Sequence, residues 1–152
     1  MSDGVRKVYF EPLGYIDQSQ RELFEQPPEG YRFILPEPRV GERLLINDFV
    51  LSELYPWLDR LCRLGRVPHL LLKAYIDSLI RQPPPAAALT YAYNHVVFRR
   101  EPWVCQVEFP TNLVARDIGL LRRWKGVVER AFASSWCRRI IAWGEEGRQA
   151  LL

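Results

Sequence analysis

Short apolar runs alternate along this chain with longer stretches in which apolar residues recur every three or four positions, and that switch of period orders the sequence. Residues 5–10 (VRKVYF) and 31–35 (YRFIL) are rich in strand-favouring side chains. Pro12 and Gly14 break the first run, and Pro36 and Pro38 close the second. Between them, residues 18–24 fit a short helix that ends at the turn signal Pro27-Pro28-Glu29-Gly30. A third short strand is read over 44–49. Ser52 is placed to cap a helix running to Leu64, with Leu54, Trp57, Leu58 and Leu61 on one face and Gly65 at its end. Leu71, Leu72, Tyr75, Ile76, Leu79 and Ile80 set a second helix over 68–81, which the triple proline 83–85 cannot continue.

The second half repeats the alternation more cleanly. Residues 87–93 (AALTYAY) read as a strand ending at Asn94-His95, and 103–107 (WVCQV) as a strand ending at Glu108. Leu120, Leu121, Trp124, Val127, Val128, Ala131 and Phe132 form the apolar stripe of an amphipathic helix over 120–133. Its other face carries Arg122, Arg123, Lys125, Glu129 and Arg130. A last strand at 140–143 leads into a helix beginning at Glu145. Apolar runs this short, each closed by polar residues, are how buried parallel strands read. Strands alternating with helices predict an α/β fold, a Rossmann-like three-layer domain with a mostly parallel sheet.

With 152 residues and 48% hydrophobic content, the chain has the size and core of one domain spanning 1–152. Its three cysteines (Cys62, Cys105, Cys137) are odd in number and show no CxxC spacing, and Cys105 falls inside an apolar run as a buried thiol would. A reducing, cytoplasmic setting fits. The N-terminus has no apolar signal core, and no run reaches the roughly 18 apolar residues of a membrane span, so contact with the membrane inner face would be peripheral. From 116 to 139 there are seven basic residues against two acidic ones, a local excess that suits an anionic partner.

Several chemistries are excluded. There is no GxxxxGK[ST] and no GxGxxG loop, the histidines and cysteines lack metal-ligand spacing, and no serine sits in a nucleophile elbow, so no metal site is expected. What remains is a set of polar residues where strands end, the edge at which open α/β sheets bind ligands. Glu108 reads either as a carboxylate that orients a substrate hydroxyl or takes its proton, or as one held by a partner such as Arg116 to fix the following loop. Asn94 can meet a sugar hydroxyl or close a turn. Glu145 and Glu146 suit a helix start, where the dipole favours negative charge. His69 beside Pro68 reads as structural. The basic helix face is either solvated or meets a phosphate or anionic headgroups, with Trp124, Trp136 and Trp143 nearby; by spacing Trp124 belongs to the core.

The pieces LTYAYNH, PWVCQVEF and SWCRRIIAWGEEGRQALL, taken in order over 87–152, resemble the N-terminal half of a family 4 type glycosyltransferase with the GT-B fold, and PPEGYRFIL at 27–35 is similar to the start of some members. Order and spacing carry the resemblance. Gly144 stands where the family usually has Ser, and the Gly-rich loop of many members is not visible. The resemblance implies two Rossmann-like domains facing across a cleft. The N-terminal one binds the acceptor; a C-terminal one, to which nothing in this chain corresponds, binds the nucleotide-sugar donor. It implies metal-independent transfer of a hexose to a glycan, lipid or small acceptor, with Asn94, Glu108, Arg116 and Glu145 on the acceptor side and no cofactor bound by this chain alone. Without the donor half, the domain is expected to be inactive. The other expectation is a non-catalytic α/β interaction domain whose helix 120–133 binds an anionic partner such as an acidic membrane or, less in keeping with the resemblance, nucleic acid.

Overall fold

A computed structural model describes residues 5–11, 18–35, 67–80, 82–114 and 116–149, together with Arg60, Cys62 and Leu64. The strand expected at 44–49 and nearly all of the helix expected from Ser52 lie outside the described residues. The elements run β1 (Arg6–Glu11), α1 (Gln18–Glu25), β2 (Tyr31–Ile34), α2 (His69–Ile80), β3 (Ala87–Tyr93), β4 (Trp103–Val107), a 3-10 turn (Pro110–Val114), α3 (Ile118–Phe132), β5 (Cys137–Ala142) and α4 (Gly144–Gln149). The five strands form one sheet in the order β2-β1-β3-β4-β5, and every described pair is parallel. This is the Rossmann-like α/β arrangement the alternation predicts, with the sheet wholly rather than mostly parallel.

The order reverses at β1, and right-handed crossovers then require the first helix to lie on the opposite face from the later ones. Packing follows that rule. Val8, Phe10 and Tyr91 share a core with Leu23 and Phe24 of α1 and Phe33 of β2, with Phe10 edge-on to Phe24 at 5.0 Å between ring centroids. On the other face Ala92, Trp103, Cys105 and Val107 pack with Leu71 of α2, Leu113 and Val114 of the 3-10 turn, and Val128, Leu120, Leu121 and Trp124 of α3. Trp103 is fully buried, and its ring lies 5.9 Å from Phe132.

Two boundaries differ from the sequence reading by more than one residue. Helix α3 begins at Ile118 rather than at Leu120, because Asp117 caps it: the carboxylate accepts the backbone N–H of Gly119 at 2.7 Å and of Leu120 at 3.0 Å. Strand β5 begins at Cys137, not at Ile140. Cys137 and Arg139 pair with Trp103 and Val104 across an irregularity in the ladder, so the two exposed arginines 138 and 139 belong to the strand. One connection is unusual. Parallel neighbours normally need a crossover of a dozen or more residues, usually a helix, yet β3 and β4 are joined by 94–102 alone, a nine-residue segment without a helix. Within it His95, Val96, Val97 and Arg99 are all buried.

Candidate functional site at the carboxyl edge

Because all strands run one way, their carboxyl ends gather four polar positions on one edge: Glu11 closes β1, Asn94 and His95 follow β3, Glu108 follows β4, and Gly144-Glu145 follow β5. In a sheet of this order the ligand crevice opens where the strand order reverses, beside β1 and β3. Two carboxylates on this edge have opposite surroundings.

Glu108 is half-buried and held by neutral donors. The Tyr93 hydroxyl donates to Oε1 at 2.5 Å, while the side-chain amides of Asn94 and Asn112 donate to Oε2 at 3.1 and 2.9 Å. Its backbone N–H donates in turn to Asn94 Oδ1 at 3.0 Å. The backbone explains why asparagine serves here: Asn94 has φ 55°, in the left-handed region that Asn tolerates better than most residues. Its backbone N–H reaches Gln106 O at 2.8 Å, so the turn is stapled to β4 from both main chain and side chain. Among the described residues no cation pairs with Glu108. The three donors fix the carboxylate in place but bring no compensating charge, and they use only three of its roughly four acceptor positions.

Glu11 is the reverse case. It is fully buried, with Arg99 Nη2 hydrogen-bonded to Oε2 and His95 Nε2 at 3.7 Å from Oε1. Arg99 also reaches Glu101, Nη2 to Oε1 at 2.8 Å, and Thr90 Oγ1 donates to that same oxygen at 2.7 Å. Burial pushes the Glu11 carboxyl up, but His95 and Arg99 outweigh it and hold the group down at about 2. Burial pulls the Arg99 guanidinium down, and Glu11 and Glu101 more than reverse that. This charge is compensated on the spot and closed to solvent.

The other expected site residues are placed apart from these two. Arg116 is exposed, in the left-handed region at φ 63°, and no ion pair joins it to Glu108 among the described residues; Tyr93, Asn94 and Asn112 take the role expected of it. Glu145 is exposed and lies 2.7 Å from Arg148, and hydrogen bonds from Arg148 and Gln149 hold its carboxyl below the usual range. It fits the helix-start reading. Gly144 before it has φ 82°, a conformation that strains any L side chain, so glycine rather than serine suits this backbone. Trp124 packs against the core as its spacing predicts, whereas Trp136 and Trp143 are exposed. Cys105 is buried as expected, its thiol pushed up by burial, and Sγ donates to the carbonyl of His95 at 3.1 Å.

Sequence reasoning missed Tyr93, Asn112, Glu11 and Arg99. Glu11 had a visible signal, because it follows an apolar strand as Glu108 does. No local pattern announces Arg99, whose partner is 88 positions away. No grouping of His, Cys, Asp and Glu among the described residues can hold a metal ion, and no described helix is long and apolar enough to cross a membrane.

Compared with protein-family models, with curated proteins and with solved structures, the chain finds no match.

Proposed function

We propose that this chain is the acceptor-side domain of a nucleotide-sugar-dependent glycosyltransferase, transferring a hexose to a glycan, lipid or small acceptor. The observation that carries the reading is the uncompensated Glu108 carboxylate, fixed by Tyr93, Asn94 and Asn112 at the carboxyl edge of a parallel sheet. Such a group accepts a hydrogen bond from an acceptor hydroxyl and orients it. Asn94, which is half-buried, uses one amide hydrogen on Glu108 and has a second for another hydroxyl oxygen, while the buried Asn112 holds the carboxylate from behind. Phe109 and Trp143, at the ends of neighbouring strands and each about half exposed, offer apolar surface to the C–H face of a sugar ring. The resemblance over 87–152 supplies the reaction class. On this reading the nucleotide sugar is held by a second Rossmann-like domain, so the acceptor-side domain binds acceptors and does not transfer by itself.

The test is a chemical-shift titration of the isotope-labelled chain with a panel of methyl hexopyranosides, and calorimetry with UDP-glucose and GDP-mannose. The proposal expects millimolar glycoside binding centred on Asn94, Glu108 and Asn112, and no tight nucleotide-sugar binding. Silence across the panel, or sub-micromolar affinity for a nucleotide sugar, overturns it.

The exposed basic face of α3 favours a second reading, an interaction domain for an anionic partner. Arg122 and Arg123 are exposed, and the ion pair on this face joins Lys125 to Glu129 at 3.4 Å. Retention on heparin that falls with salt, and is lost when Arg122, Arg123 and Arg130 become Ala, supports that reading; salt-independent retention dismisses it.

A further inference from the structure

The Glu108 cluster depends on two consecutive residues, Tyr93 and Asn94, and both are set by the turn that ends β3. One buried side chain holds that turn. His95 is 1% exposed, and its Nδ1 lies 2.9 Å from the carbonyl oxygen of Tyr93. A carbonyl has no hydrogen to give, so Nδ1 must be the donor, which places a proton on that ring nitrogen whether or not Nε2 also carries one. The ring cannot turn away easily. Its Nε2 faces the Glu11 carboxylate, which Arg99 anchors, and the thiol of Cys105 donates to the His95 carbonyl from β4. The ring thus sits buried between Glu11 of β1 and the end of β3, hydrogen-bonded to the latter.

We infer that His95 is the positioning residue of the carboxyl-edge site: its Nδ1–H on the Tyr93 carbonyl holds the left-handed turn at Asn94 and so keeps Tyr93 and Asn94 on Glu108. The inference rests on the reading of Glu108 as the ligand-facing group. It adds a residue that touches no ligand and shapes the group that does. Asparagine and glutamine separate this role from mere space filling, because an Asn side chain can place a donor where Nδ1 stands, whereas Gln places one where Nε2 stands. Phe fills the volume and donates nothing.

The experiment uses the side-chain amide signals of Asn94 and Asn112 in the full chain without ligand, together with the long-range nitrogen–proton spectrum of His95. His95→Phe and His95→Gln are expected to shift both amide signals towards free-amide positions, while His95→Asn keeps them near their native places; matched far-ultraviolet circular dichroism establishes that the variants fold. Native amide signals in a folded His95→Phe variant, or identical behaviour of the Asn and Gln variants, overturn the inference. If the substitutions abolish folding, the native protein decides: Nδ1 carries the proton if the inference holds, and a bare Nδ1 sinks it. A glycoside titration that fails while these signals behave as expected removes the proposed function and leaves the positioning role standing.

Discussion

Glu11 and Glu108 lie on the same sheet edge, at the ends of β1 and β4 with β3 between them, yet one is locked and the other is offered. Glu11 is buried against a guanidinium and an imidazole, with its charge spent inside the fold. Glu108 is half-buried and gripped by a phenol and two amides that bring no compensating charge. A buried ion pair is weak grounds for function and strong grounds for damage when half of it is removed. A fixed carboxylate without a cation, at the edge where such sheets bind ligands, is the better candidate for chemistry. What sets the two apart is the partners each carboxylate finds, not its place at a strand end.

The largest effect that would break this contrast is expected at Glu11. Its replacement by Ala takes from the buried Arg99 guanidinium the carboxylate that faces it in the interior and should cost about 3–5 kcal/mol in denaturant unfolding. A loss below about 1 kcal/mol would mean that the buried network is slack. Acid should act through the same group. The folded carboxyl titrates at about 2 against an ordinary 4.5, so its stabilisation is complete above pH 4.5 and is lost as the pH falls towards 2. That interval corresponds to roughly 3 kcal/mol, and the Glu11→Gln variant should show a shallower acid limb in the pH dependence of unfolding.

Asn94 sharpens the other half. Asn94→Ala loses the bonds to Glu108 and forces a Cβ-bearing residue without local compensation into φ 55°, while Asn94→Gly loses only the bonds. Thermal unfolding should place Asn94→Ala about 1 kcal/mol below Asn94→Gly, and equal stabilities would show that the turn is not strained. At the bottom of the scale is the exposed pair of Arg148 with Glu145. Arg148→Ala should leave the unfolding midpoint at its native value, because exposed pairs contribute little.

The sequence made the layout of this molecule readable and its polar contacts largely not. β3 and β4 follow their apolar runs residue for residue, since a central strand with one face fully buried leaves little else that Trp103, Cys105 and Val107 can do. At the edge the code weakens. β5 exposes Arg138 and Arg139, so its start carries no apolar mark, and α3 gains two residues from a single capping aspartate. Glu108 and Asn94 were visible because each closes an apolar run. Their contact was not, because it joins residues 14 apart through the register of two strands. Arg116 shows the opposite error: it lay near Glu108 in sequence and carried the right charge, but its left-handed backbone follows the 3-10 turn and the side chain is exposed.

Glu108, and not the buried Glu11 at the end of β1, is expected to serve the ligand. The most direct measurement is the dissociation constant of the best-binding glycoside for Glu108→Gln set against the native chain. Binding at least about tenfold weaker is expected, a loss of some 1.4 kcal/mol, in a variant that still folds cooperatively. An unchanged dissociation constant in folded Glu108→Gln would contradict it.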